Sequence, residues 1–74
     1  MSRTRRIELI FEVTAESAGG YSAECLTEDI VTQGDTWEEL RANAKDAVAG
    51  YFFDGQMPQS IRLRYVRDEV LALA

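Results

Sequence analysis

Seventy-four residues carrying thirteen acids, eight bases and no histidine, for a net charge of −5, allow one domain whose core is marginal. The missing histidine excludes the usual Ser-His and Cys-His nucleophile systems. With Cys25 as the single cysteine it also leaves no ordinary zinc set and no intrachain disulfide framework. No apolar run approaches the ~20 residues of a membrane span, and no long apolar segment follows the basic opening Met1–Arg6, so a cytoplasmic, non-membrane protein is expected.

Ile7 to Ala15 alternates, with Ile7, Leu9, Phe11, Val13 and Ala15 on one side and Glu8, Ile10, Glu12 and Thr14 on the other. That period of two predicts a half-buried strand. Glu16 to Gly20 reads as a turn, because Gly19-Gly20 permits positive φ. Tyr21 to Cys25 alternates again, with Tyr21, Ala23 and Cys25 inward. After the polar Thr27-Glu28-Asp29 turn, Ile30 to Gln33 is short and β-branched, a third strand.

Thr36 then starts a helix. Its hydroxyl can cap the first turn, and Glu39 stands three residues on, where its carboxylate can reach back to the cap's own N–H. Asp35, Glu38 and Glu39 place negative charge at the positive end of the helix dipole. Trp37, Leu40, Ala44, Ala47, Val48, Tyr51 and Phe52 form one apolar stripe. The helix should end near Asp54-Gly55 on a left-handed glycine, with Pro58 barring its resumption. Ser60 to Val66 is a fourth strand with Ile61, Leu63 and Tyr65 on one face and Arg62 and Arg64 on the other. Arg67 to Ala74 is a short tail.

The order β-β-β-α-β predicts an α+β fold. A right-handed crossover would return the last strand beside the first and parallel to it, giving a four-stranded mixed sheet with one helix on one face. One helix is about 10 Å across, and four strands ~4.8 Å apart span more, so the opposite face stays bare. Glu8, Ile10, Glu12, Ser22, Glu24, Arg62, Arg64 and Val66 are expected there, with Glu8 and Glu12 able to pair with Arg62 and Arg64.

Charge placement points to the partner. From Ile7 to Leu40 there are nine acids and no base, flanked by Arg3, Arg5 and Arg6 before and a mixed segment after. Such a surface repels phosphate backbones and suits a basic protein. Gly34-Asp35-Thr36 lacks the lysine and further glycines of a phosphate loop, so no cofactor is expected. A two-metal nuclease would need acids converging at strand and helix ends. The acids here have simpler uses, so no metal site and no enzyme activity are expected.

The combination Phe11-x-Val13, Gly19-Gly20-Tyr21-x-Ala23, Thr32-Gln33-Gly34-Asp35-Thr36-x-Glu38-Glu39-Leu40 and Asn43-x-x-Asp46-Ala47 resembles the HicB-like antitoxin domain over about residues 6–66 of a single 1–74 domain. The resemblance implies a partial ribonuclease H-like β-β-β-α-β fold, which does not itself imply nuclease activity. It also implies a type II antitoxin that binds and masks a small basic HicA-type mRNA-cleaving toxin. Gly20, Tyr21, Gly34, Asp35, Thr36, Glu39 and Asn43 match the family motif and take structural roles, although no physical role for Asn43 follows from the sequence. Many members add a ribbon-helix-helix or helix-turn-helix segment. Residues 67–74 can form neither, so no direct nucleic-acid binding is expected.

The residues expected to meet the partner are Glu8, Ile10, Glu12, Glu24, Glu28 and Asp29. A homodimer or higher homo-oligomer is expected as well. The alternatives are a free-standing homo-oligomeric interaction module, using Ile10, Val66 or the Val70-Leu71-Ala72-Leu73 tail as contact, and a divalent-metal nuclease.

Overall fold

A computed structural model describes residues 8–74, so Ile7 and the basic opening segment lie outside the described residues. The elements are β1 (Glu8–Ala15), β2 (Tyr21–Cys25), β3 (Val31–Gly34), α1 (Trp37–Tyr51) and β4 (Ser60–Tyr65). They form one sheet in the order β3-β2-β1-β4. β1 pairs antiparallel with β2, β2 antiparallel with β3, and β4 parallel with β1, the mixed sheet with a single helix that the sequence predicts.

The alternation in β1 does what its pattern requires. Leu9, Phe11 and Val13 are buried and join Ala23, Cys25, Ile30, Leu40 and Val48 in the core. Burying such aliphatic and aromatic side chains stabilises by about 1.5–3 kcal/mol each before conformational entropy is counted. Ala15, the last residue of β1, is exposed rather than inward.

The β1–β2 turn is closed by Gly19 N–H donating to the Glu16 carbonyl at 3.0 Å and Glu16 N–H to the Gly20 carbonyl at 2.9 Å. Gly20 has φ +87°, and a Cβ there would stand 2.9 Å from the Gly34 carbonyl oxygen. Gly34 is tighter still, since a Cβ would lie 2.4 Å from the Leu40 amide nitrogen and 2.8 Å from its Cα. β3 and the first turns of α1 therefore touch backbone to backbone, which only glycine permits.

The helix begins as expected, with one correction. Glu39 N–H donates to Thr36 Oγ1 at 3.0 Å, but the Glu39 carboxylate accepts from the N–H of Asp35 at 2.7 Å, one residue before the cap. Its end differs more. The last helical residue is Tyr51, and Phe52 closes the helix with φ −108° while its N–H donates to the Val48 carbonyl. Gly55 does not adopt positive φ. Its N–H instead closes a further turn on the Phe52 carbonyl at 3.0 Å, so the chain leaves the helix through turns rather than a left-handed cap.

Leu40, Ala44 and Val48 are the buried stripe of α1, and Trp37, Ala47 and Phe52 are half-buried against it. Tyr51, expected in that stripe, is 47% exposed at the helix end. The helix lies over β3 and β2, and β4 stands to one side of it. Tyr21, Trp37 and Tyr65 close one end of the helix-covered face, with ring centroids 5.3 to 6.1 Å apart in edge-on contacts. Val66 N–H donates to the Val13 carbonyl at 2.8 Å, and the chain beyond it, 67–74, forms no helix or strand.

Candidate protein-binding face

Among the described residues no element covers the face of the sheet opposite α1. Strand pairing sets its side chains in rows. One row runs Val31, Glu24, Glu12, Arg64 across β3, β2, β1 and β4, since Val31 is the partner of Glu24, Glu24 of Glu12, and Glu12 of Arg64. The next runs Gln33, Ser22, Thr14, and the hydroxyls of Thr14 and Ser22 lie 3.3 Å apart. On the other side Ile10 is beside Arg62 and Glu8 beside Ser60.

The expected acidic residues do not all remain free. Arg62 donates from Nε to Glu8 Oε1 and from Nη2 to Glu8 Oε2, both at 3.2 Å, and Ser60 Oγ lies 3.5 Å from Glu8 Oε2. Glu8 is thus neutralised within the chain, the one ion pair found among the described residues. The parallel expectation for Glu12 fails: Arg64 is its strand partner, but no ion pair forms. Glu28 accepts a 3.0 Å hydrogen bond from the Tyr51 hydroxyl, binding the β2–β3 loop to the end of the helix. That bond to Glu28, aided by partial desolvation and the nearby Glu28 and Asp29 charges, holds the Tyr51 phenol above its ordinary pKa. Asp29 is exposed in the same loop.

What remains unsatisfied sits at the centre. Glu12 and Glu24 face each other across β1 and β2, both exposed. Like charges directly opposite on a sheet face are destabilising. Beside them Ile10 is half-buried and Val31 is 66% exposed, so the patch is a carboxylate pair flanked by apolar side chains. Val31 is the member the sequence reading did not place, because its face depends on the β2–β3 register, which the Tyr21–Gly34 pairing sets.

The motif residues gather elsewhere and are structural. Gly20 and Tyr21 stand against Gly34, the strand partner of Tyr21. Asp35, Thr36 and Glu39 build the helix start. Asn43 gains a role that the sequence alone did not reveal: its Nδ2 donates to the Gln33 carbonyl at 2.7 Å. The bond fastens the second turn of the helix to β3, which is an edge strand, and occupies an acceptor on it. Among the described residues no group of three or more His, Cys, Asp or Glu is placed to hold a metal ion. No described helix is long and apolar enough to cross a membrane.

Two curated proteins are similar over most of the chain. A UPF0150 protein of Thermotoga maritima is 39% identical over 66 residues, covering 89% of this chain and 93% of that one. A UPF0150 protein of Archaeoglobus fulgidus is 34% identical over 58 residues, covering 78% and 88%. No family model matches the chain, and no solved structure matches it.

Proposed function

The chain belongs to the UPF0150 protein family, and we propose that it is an antitoxin-like, non-catalytic cytoplasmic protein whose bare sheet face binds and masks a small basic toxin of the HicA type. The observation that carries this reading is the Glu12–Glu24 pair. Two carboxylates held opposite one another, with Arg64 adjacent but in no ion pair among the described residues, cost the free protein stability and gain a purpose when a cation arrives between them. Ile10 and Val31 supply apolar contact at the sides, and Asp29 adds an exposed carboxylate in the β2–β3 loop. Masking would be steric and electrostatic, the basic face that a toxin uses for RNA being covered by an acidic sheet.

The test is neutralisation in cells. Co-expression with a small basic HicA-type toxin should restore growth, and Glu24→Lys should abolish that protection while the protein stays folded. Protection that survives Glu24→Lys, or a complete lack of protection by the wild-type chain, contradicts the proposal.

A further inference from the structure

Because α1 covers β3 and β2, it leaves a groove between itself and β4. The groove holds about 390 Å³ and is walled by Val48 from the helix, Met57 from the loop, and Ile61 and Leu63 from β4, with Arg41 and Lys45 along the helix rim. Ile61 and Leu63 are only half-buried, and Met57 is exposed. β4 is also an edge of the sheet, so one side of its backbone has no strand partner among the described residues.

The segment after β4 carries the matching chemistry. Val70, Leu71 and Leu73 are 94%, 71% and 98% exposed. Along an extended chain Glu69, Leu71 and Leu73 fall on one side, the same side that Ile61 and Leu63 occupy in β4. Their order, an acid followed by two leucines, complements a groove with a basic rim and an apolar floor.

We propose that this arm lies in the groove of a second copy of the chain, and that copy's arm in the first. The arms pair antiparallel with the β4 edges about a two-fold axis, with Leu71 against the partner's Leu63 and Glu69 toward the partner's Arg41 and Lys45. Two observations favour a second copy over other occupants. The acidic Glu69 matches the basic rim of the same chain's groove, which makes the surface self-complementary, as a two-fold interface requires. Folding back onto its own β4 would need a tight reversal at Arg67-Asp68-Glu69, which lacks the glycine that short hairpin turns favour. Eight extended residues reach about 26 Å, enough to follow the six of β4. Pairing removes the open edge and covers the exposed leucines together, and it uses neither Glu12 nor Glu24, so it stands apart from the reading of the bare face.

The test uses the full chain. Sedimentation equilibrium of the wild type should give a dimer. Leu71→Asp with Leu73→Asp should weaken that dimer by at least about a hundredfold while the helical signal is kept, since both positions are exposed within one chain. Leu63→Cys with Leu71→Cys should oxidise to an intermolecular disulfide, and buried Cys25 should take no part. A monomeric wild type, an oligomer that survives the two aspartates, or a disulfide formed within a monomer would each overturn the inference.

Discussion

Gly34 carries the tightest constraint in the molecule. Gly34→Ala drives a Cβ into the Leu40 amide, which is backbone and cannot swing aside. A loss of ~3 kcal/mol or more is expected in urea unfolding, the upper end for overpacking. Tyr51 gives a second residue-scale prediction. Its phenol is held above the ordinary pKa, so the neutral form is favoured by folding. The associated stabilisation is complete below the unfolded value near 10 and is lost as pH rises through the higher folded value. In an ultraviolet titration the Tyr51 step should vanish with Tyr51→Phe and move down with Glu28→Gln. An unchanged Tyr51 step in Glu28→Gln would remove the proposed role of that hydrogen bond. Neither effect is visible in the linear chain. Gly34 is marked there only as a break before a helix, and Tyr51 falls on the apolar stripe although it turns to a loop 23 positions upstream.

Among the elements, the strands and the helix start were legible because their signals are local. Alternation in 8–15 and the Thr36…Glu39 spacing need no knowledge of the rest of the chain. Thr36→Ala should cost ~1 kcal/mol through the lost cap. Asn43→Ala should cost a similar ~1 kcal/mol in thermal unfolding and should also raise amide exchange in β3, because the bond it loses is a tertiary one to Gln33. The helix end was misplaced because Gly55 suggests a left-handed cap, whereas the chain closes at Phe52 with ordinary turns. The role of Asn43 was hidden because its partner is ten residues away on another element. The candidate face was legible in β1, but Val31 joined it only through register, and Glu8 and Glu28 were taken up by Arg62 and Tyr51.

At the largest scale, one helix on a four-stranded sheet leaves two surfaces that no described element covers, the sheet face around Glu12 and Glu24 and the groove along β4. If the first surface meets a basic partner, one substitution should have opposite effects on the free protein and on the complex. Glu24→Lys replaces a repulsive pair by an attractive one with Glu12, so the free protein should gain about 0.5 kcal/mol. The same change should weaken the complex and flatten its salt dependence. The most direct test is therefore calorimetric titration of the wild type and Glu24→Lys with a small basic HicA-type toxin at low and high salt. The account predicts tight binding that weakens as salt rises and falls at least about tenfold in Glu24→Lys. Equal affinity for the two chains, in a variant no less stable than the wild type, would contradict it.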